Sequence, residues 1–357
     1  MLFGHTNVNK FLVESQRKNP ALAGDVSMLI SDVVRSCKTV SHGVSRGALV
    51  GAGDHGDGSS PSDTKKMLDE MSNEAFLHHC AWGGHLAAMA SEEMADIYPV
   101  PPEYPRGRHL LVFDPLDGST NIDVNLTVGS IFSILRCPDK VTEPTATDFL
   151  QAGTRQIAAG YALYGPSTML VLTVGDGTHG FTLDHEIGEF LLTHPNMKVA
   201  PDTATFAINA SNERFWEPPI QRYVEECLAG KTGIREKDFN MRWVASMVAE
   251  AHRILVRGGV FMYPRDNRDP LKPGRLRLMH EANPIAMVIE QAGGLASTGR
   301  GRLLDMAPES LNQQVPVIFG SKNEVERIER YHVEHENGTD KPFTSPLFSN
   351  RSLFRAK

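Results

Sequence analysis

His109-Leu110-Leu111-Val112-Phe113-Asp114-Pro115-Leu116-Asp117-Gly118-Ser119-Thr120-Asn121 is the stretch on which the fold turns. Residues 109–113 predict a buried strand, and the Asp/Pro/Gly/Ser run after them predicts a turn. In a continuous strand Asp114 and Asp117 would face opposite ways; across a Pro-containing turn they can converge on one point. Gly118 lets the backbone approach a ligand closely, and the amides of residues 118–120 are free to donate to a phosphate. Oxygen-only donors at a strand end suit Mg²⁺ or Mn²⁺ shared with substrate phosphate. The same letters also describe an ordinary solvated Asx turn, so on its own this stretch leaves both readings open.

On its N-terminal side, Val26, Leu29, Ile30, Val33, Val34, Cys37 and Val40 recur at helical spacing over residues 25–44. Gly51 to Pro61 is too glycine-rich for anything but a loop, and helical spacing resumes over 63–82. Pro99, Pro101, Pro102 and Pro105 make 97–108 an extended connector. On the C-terminal side, alternation through Ile122, Val124, Leu126 and Val128 predicts a second strand, and 157–193 predicts an antiparallel meander. Helices are expected at 218–229, 242–257, 284–292 and 322–333, the last opening on the capping-box spacing of Ser321 and Glu324. Short strands at 204–208, 259–263 and 315–319 alternate with them. The pattern is a layered α/β protein with a mixed sheet in each half, and the polar tail from about residue 335 reads as mobile.

The chain has 357 residues, with 36 Lys+Arg against 43 Asp+Glu, a formal charge of −7, and 41% hydrophobic residues. That length predicts one large domain or two ordinary ones, with a substantial core. The acidic balance argues against nucleic acid or an anionic membrane as partner. Cys37, Cys80, Cys137 and Cys227 show no C-x-x-C spacing and read as free thiols in a reducing compartment. Met1 to His5 leads into polar residues rather than an apolar signal core, and no stretch reaches the roughly 18 apolar residues of a membrane span. A cytoplasmic location is therefore expected, and the sequon at Asn337-Gly338-Thr339 carries no weight.

Two segments fit G-x-G-x-x-G, at Gly51/Gly53/Gly56 and at Gly175/Gly177/Gly180. A dinucleotide loop needs a strand before it and a helix after it, because the helix N-terminus carries the pyrophosphate. Phe181-Thr182-Leu183 is strand-like, so the second match predicts a hairpin turn; the first runs on into more glycine, serine and proline. No G-x-x-x-x-G-K-S/T loop occurs. His78, His79, Cys80 and His85 could be drawn as a zinc cluster, but adjacent histidines on a helix point to different faces and are read as surface or packing residues.

The carboxylates remain. Ser91-Glu92-Glu93 precedes the proline connector, and Glu281 stands at a helix entrance with Arg275 and Arg277 upstream. Alone, a Glu pair is usually a solvated face, and a Glu at a helix start often only complements the dipole. Taken together, however, four strings resemble class I fructose-1,6-bisphosphatases: Phe113 to Asp123, Ala159 to Gly165, Gly258 to Pro264, and Glu281 to Pro284 with Ala292-Gly293-Gly294. They run in family order over roughly residues 25 to 333. The Asp-Pro-x-Asp-Gly element is shared by the wider lithium-sensitive phosphatase superfamily, including inositol monophosphatases; the other three strings are more specific.

The resemblance implies a sugar phosphatase fold, an α-β-α-β-α arrangement of two mixed-sheet subdomains. Residues 1–200 would bind metal and carry regulation, 201–334 would bind sugar phosphate, and 335–357 would form the tail. Glu92, Asp114, the Leu116 carbonyl, Asp117 and Glu281 match the ligands of two or three Mg²⁺ ions, with Mn²⁺ a possible substitute. Glu93 and Asp69 match the residues that position and deprotonate the attacking water, and Asp63 lies in the matching mobile catalytic loop. Asp117, Gly118, Ser119 and Thr120 match the 1-phosphate site. Asn209, Arg242, Trp243, Tyr263 and Arg275 match the site for the 6-phosphate and sugar, with Arg242 reaching in from a neighbouring subunit of a homotetramer. The implied reaction is hydrolysis of the 1-phosphate of D-fructose 1,6-bisphosphate to D-fructose 6-phosphate and phosphate by metal-activated water.

Some positions depart from the family pattern. Arg275 stands where Lys is usual and Trp243 where Tyr is usual, a bulkier cation and a lost hydroxyl. Ala23-Gly24-Asp25-Val26-Ser27 and Arg108-His109 replace the nucleotide-regulatory Thr-Gly-Glu-x-Thr turn and Lys-Tyr pair, leaving AMP inhibition open. Only Cys137 stands where redox-controlled members carry a cysteine-bearing insertion, so no disulfide switch is expected. The rival readings are a sedoheptulose-1,7-bisphosphatase, an inositol-phosphate phosphatase and, from another class, a catalytically silent sugar-phosphate sensor.

Overall fold

In the computed structural model, which describes residues 5–19, 22, 24–50, 61–139, 141–269 and 272–340, three helices precede the first strand: α1 (Val8–Lys18), α2 (Gly24–Arg46) and α3 (Pro61–Ala81). The seven apolar residues that predict α2 are all buried in it. Helix α1 escapes the periodicity because its buried face is only Val8, Phe11 and Leu12. Then come β1 (Leu86–Ser91), β2 (Tyr98–Pro99), β3 (His109–Asp117), β4 (Val128–Arg136), the short α4 (Ala146–Phe149), β5 (Ala158–Tyr164), β6 (Thr168–Thr173), β7 (Thr178–Asp184) and β8 (Glu189–Met197). They form one eight-stranded sheet in the order β2-β1-β3-β4-β5-β6-β7-β8. Only β1 and β3 run parallel within it; the other neighbours are antiparallel.

The C-terminal half runs β9 (Thr205–Ile208), α5 (Pro218–Leu228), β10 (Asn240–Met241), α6 (Met247–Arg257), β11 (Val260–Tyr263), β12 (Leu276–Arg277), α7 (Asn283–Gln291), β13 (Leu295–Ser297), β14 (Gln314–Val315), β15 (Val317–Gly320) and α8 (Lys322–Glu336). Its mixed sheet has the order β10-β9-β11-β15-β13, and β12 pairs with β14 beside it.

Three apolar layers hold these parts together. Leu29, Val33, Phe76 and the β3–β4 residues Phe113 and Phe132 pack α1–α3 against one face of the large sheet. Ile131, Tyr161 and Val171 on its other face meet Val248 and Ile254 of α6, Ile285 and Ile289 of α7, and Phe261 and Phe319 of the second sheet. Phe206, Met262 and Ile318 cover that sheet's far face with Tyr223 of α5 and Ile328 of α8. The order is therefore α-β-α-β-α. Covered on both faces, β3 to β6 read as continuous apolar runs, with each buried aliphatic side chain stabilising the fold by roughly 1.5–3 kcal/mol. All four cysteines are free and buried.

Several local expectations are corrected. Strand β3 does not stop at Phe113 but continues to Asp117, with an irregularity in its pairing to β4 between Asp114 and Asp117. Pro115 sits there, where a missing N–H is tolerated. Residues 122–127 form turns rather than a strand; Asn125 has φ 57° and Val124 is exposed. Strand β1, absent from the sequence reading, is a short alanine-rich run buried along its length. Helix α6 starts at Met247 rather than at 242, because Arg242 N–H donates to the Phe206 carbonyl and Ala245 adopts φ 59°. Glu281 lies in a wide π-type turn (Leu278–Ala282) ahead of α7, where Pro284 lacks the N–H an α-turn would donate. The Ser321–Glu324 capping box does not form. Ser321 Oγ accepts the Gly259 N–H at 3.2 Å, and Glu324 is taken by Arg235 and Tyr223. Helix α8 reaches Glu336, and Asp340 just beyond it pairs with Arg222 at 2.8 Å, so the first tail residues are tied to α5. Residues 51–60 of the expected loop and 341–357 of the expected tail lie outside the described residues.

Candidate active site

Parallel pairing of β1 with β3 sets Ser91 opposite Phe113, and Glu92 N–H donates to the Phe113 carbonyl at 3.0 Å. Glu92, just past the end of β1, and Asp114, within β3, therefore stand side by side, although 22 residues separate them in the chain. The π-type turn brings Glu281 to the same place. Carboxylate oxygens of Glu92, Asp114 and Glu281 all lie within 4.8 Å of one another. At that spacing two like charges repel by about 3–4 kcal/mol at an effective dielectric near 20. Asp114 and Glu281 are also buried. Burial first, then Asp117 and Glu281, push Asp114 well above the usual carboxylate range; burial and Asp117 raise Glu281, against the Arg277 hydrogen bond and charge.

Arg277 answers part of this charge. Its guanidinium meets Glu92 Oε1, and its backbone N–H donates to Glu281 Oε2 at 2.5 Å. Glu92 Oε2 nevertheless remains buried without a hydrogen-bond partner. One guanidinium among three carboxyl groups leaves acids that ionise only at a cost and an orphaned oxygen, an arrangement that a further cation would relieve. An all-oxygen donor set of this kind fits a hard divalent cation. Among the described residues this is the one such group of acidic, His or Cys side chains. His78 and His79 stack edge-on instead.

Asp117 lies at the next turn. Its Oδ2 accepts the Val248 N–H at 3.1 Å at the start of α6, and it does not share the 4.8 Å group. The Leu116 N–H donates to Asp114 Oδ1 at 2.9 Å, a bond that closes the bulge. Gly118 takes φ 75° and ψ 22°, the left-handed conformation that favours glycine, and a short 3-10 turn of Ser119 to Asn121 follows. Asp69 on α3 stands near Ser119 and Glu93. Burial first, and Glu93 second, push the Asp69 carboxyl up to about 6, with Ser119 opposing. Glu93 and Thr120 are exposed. Asp63 falls within α3, with its side chain outside the described residues.

The second sheet supplies the distal group. Asn209 follows β9, Tyr263 ends β11, and both line a narrow cleft with Asn212 and Asp266. The Trp243 ring stacks on Phe261 at 5.9 Å and lies 6.2 Å from Tyr263. Arg275 approaches Asp266 at 3.7 Å. Arg242 follows the edge strand β10 and is exposed.

Two family models match the chain. One, described as "Fructose-1-6-bisphosphatase, N-terminal domain", covers residues 6–195, and the corresponding "C-terminal domain" model covers 199–333. The chain belongs to the fructose-1,6-bisphosphatase family. A "Fructose-1,6-bisphosphatase class 1" of Hydrogenophilus thermoluteolus is 57% identical over 99% of both chains. A "Fructose-1,6-bisphosphatase class 1 3" of Methylibium petroleiphilum is 56% identical over 98% of both. Among solved structures, Leishmania major fructose-1,6-bisphosphatase in holo form superposes with a TM-score of 0.83 at 35% identity, covering 92% of this chain and 99% of that one. The same enzyme in its T-state gives 0.83 at 36% identity with the same coverage.

Three partners of the site carry no signal in the sequence. Arg277 stands four residues before Glu281, and nothing in its spacing announces that it reaches Glu92. Helical spacing from 242 conceals that α6 starts at Met247, where the Val248 N–H meets Asp117. Asp266, in an ordinary polar loop, offered no motif at all.

Proposed function

We propose that this fructose-1,6-bisphosphatase acts with divalent cations, Mg²⁺ first and Mn²⁺ as a substitute, two or three per subunit. Glu92, Asp114, the Leu116 carbonyl, Asp117 and Glu281 would hold them. The reaction is hydrolysis of fructose 1,6-bisphosphate at its 1-phosphate, giving fructose 6-phosphate and phosphate. The observation that carries the metal reading is the convergence of three carboxylates within 4.8 Å around an unpaired Glu92 oxygen. When bound, such cations supply Lewis-acid neutralisation of phosphoryl charge and activate water.

The remaining work falls to the chain's own groups. Glu93 and Asp69 orient the attacking water, and Asp69 takes its proton. With a carboxyl at about 6, Asp69 is ionised at neutral pH yet basic enough to hold a proton, and its buried Oδ1 has no other partner. After Gly118 the turn uses the N–H groups of Asn121 and Ile122 for its own hydrogen bonds. Those of Ser119 and Thr120 are then available to the 1-phosphate, beside Asp117, with charge on the transferring group offset by preorganised donors. Asn209, Tyr263 and Arg275 hold the 6-phosphate, and Trp243 borders the sugar. The exposed Arg242, just after the edge strand β10, supports assembly into a homotetramer in which it serves a neighbouring site; sedimentation of wild type against Arg242→Ala tests this.

Phosphate release from fructose 1,6-bisphosphate, with Mg²⁺ and then with EDTA, tests the reading. Release that stops in EDTA and returns with Mg²⁺ is expected. Equal release in EDTA would remove the metal assignment, and a preference of about tenfold for an inositol phosphate would overturn the substrate.

A further inference from the structure

The loop after β11, Tyr263-Pro264-Arg265-Asp266-Asn267-Arg268-Asp269, is polar and turn-forming. Asp266 Oδ1 accepts the Arg268 N–H at 3.1 Å, an Asx turn that folds Arg268 back over Asp266. Two backbone contacts pin this turn to the loop carrying Asn209: Asn267 N–H donates to the Phe215 carbonyl at 2.9 Å, and Asp266 bridges Trp216. The turn is thus fixed at the wall of the distal cleft, which Asp266 lines together with Asn209, Asn212 and Tyr263.

Asp266 is nearly buried, and its Oδ2 is shared by two guanidiniums. Arg268 donates through Nε at 3.1 Å and Nη2 at 2.6 Å, while Arg275 Nε lies 3.7 Å away. The Arg268 guanidinium also lies 5.1 Å from the Phe215 ring centre, and Arg214 sits 4.6 Å from the same ring. Asp266 stays ionised, its carboxyl lowered first by the Arg268 hydrogen bond. One carboxylate between two guanidiniums leaves net positive charge. Both arginines remain part-exposed, at 32% for Arg268 and 45% for Arg275. Asp266 engages the Nε/Nη2 edge of Arg268, and its Nη1 makes no hydrogen bond among the described residues. A turn-capping role for Asp266 explains its bond to the Arg268 N–H; it does not explain a second arginine drawn to the same oxygen. A planar fork whose Nη1 has no partner among the described residues, beside a second cation, suits a phosphate dianion.

We propose that Arg268 is a second guanidinium for the distal phosphate of the sugar bisphosphate, and that Asp266 positions it beside Arg275. The inference rests on the reading of Arg275 as a distal-phosphate residue. Together the pair favours substrates that carry two phosphates over those that carry one.

The test compares fructose 1,6-bisphosphate with fructose 1-phosphate, which keeps the scissile group and lacks the distal one. Steady-state kcat and KM are measured for the full-length enzyme with Mg²⁺, as wild type, Arg268→Gln, Arg268→Lys and Asp266→Asn. Arg268→Gln is expected to raise the bisphosphate KM by roughly tenfold, the size of one charge-assisted hydrogen bond, with kcat little changed. Its kcat/KM for fructose 1-phosphate should stay within about twofold of wild type. Arg268→Lys should recover part of the loss, and Asp266→Asn should shift KM the same way by less. A wild type with no preference for the bisphosphate would overturn the distal-site reading itself. A wild type with that preference, and Arg268→Gln lowering both substrates equally or neither, would overturn this inference alone. Where Arg268→Gln does not fold, Asp266→Asn decides by the same comparison: a reduced preference supports the proposal and an unchanged one refutes it.

Discussion

Asp117 accepts the backbone N–H of Val248 at 3.1 Å, joining the end of a strand to the start of a helix 131 positions later. The first turn of α6 presents unpaired N–H groups and the positive end of the helix dipole, so a carboxylate belongs there. Burial raises Asp117 to about 6, opposed by bonds from Val248, Met247 and Ser246. Asp117→Ala should therefore cost about 1–3 kcal/mol of stability as well as lowering kcat by about a hundredfold or more. Asp117→Asn keeps an acceptor and should recover stability without recovering turnover. Thermal unfolding beside steady-state kinetics checks both, and wild-type turnover in either variant would refute the assigned role.

The acidic group makes a prediction about metal removal. Glu92, Asp114 and Glu281 repel one another at 4.8 Å or less, so Mg²⁺ should raise the unfolding midpoint of the wild type and EDTA should reverse the rise. Glu281→Gln keeps the acceptor for the Arg277 N–H and removes one charge. Its Mg²⁺-induced shift should be much smaller than that of wild type; an equal shift would show that the cation binds elsewhere.

Gly118 carries a conformational requirement. At φ 75°, alanine there incurs about 1–2 kcal/mol of left-handed strain. Its added carbon would also come within 3.4 Å of Asn121 Nδ2 and the Ser246 side chain. Gly118→Ala is expected to unfold at a lower denaturant concentration and to lose kcat/KM, since the turn it forms would shift. Unchanged values for both would show that the turn tolerates a side chain.

Acid stability should report on Glu217. Burial raises its carboxyl, but His332, 3.8 Å away, and the Arg300 hydrogen bonds prevail and hold it at about 2, below its ordinary 4.5. Arg300 grips it at 2.9 and 3.1 Å. A depressed carboxyl stabilises the fold above its unfolded value and loses that contribution as pH falls toward the folded one. Glu217→Gln should therefore be less stable by roughly 1–3 kcal/mol at neutral pH, allowing for the part-exposed arginine. The gap between wild type and variant should close between about pH 4.5 and 2. Denaturant midpoints across that range measure it, and a gap independent of pH would refute the ion-pair account.

Much of this was legible in the chain, but unevenly. Helix α2 announced itself because one face of a long helix must repeat its apolar residues, and the covered strands did so by their unbroken apolar runs. Strand β1 did not, since Leu86-Ala87-Ala88-Met89-Ala90-Ser91 has little β-branched character and owes its conformation to pairing with β3. The Ser321–Glu324 spacing misled, because Arg235 and Tyr223, distant in sequence, compete successfully for Glu324. The 122–127 alternation misled for a local reason, with turns overriding a strand-like pattern.

The sequence by itself determined the chemistry: which residue types stand at Glu92, Asp114, Asp117, Gly118 and Glu281, and the family to which those strings belong. Residue type and local spacing are properties of the covalent chain, so they can be read directly. Only the tertiary structure decided which carboxylates meet. Parallel pairing of β1 with β3 and a π-type turn bring Glu92, Asp114 and Glu281 together, while the α6 N-terminus draws Asp117 to one side. It also decided that Arg277 reaches Glu92 and that Arg268 and Arg275 both approach Asp266. Such charges interact through space over a few ångströms, and packing of elements far apart in the chain sets those distances.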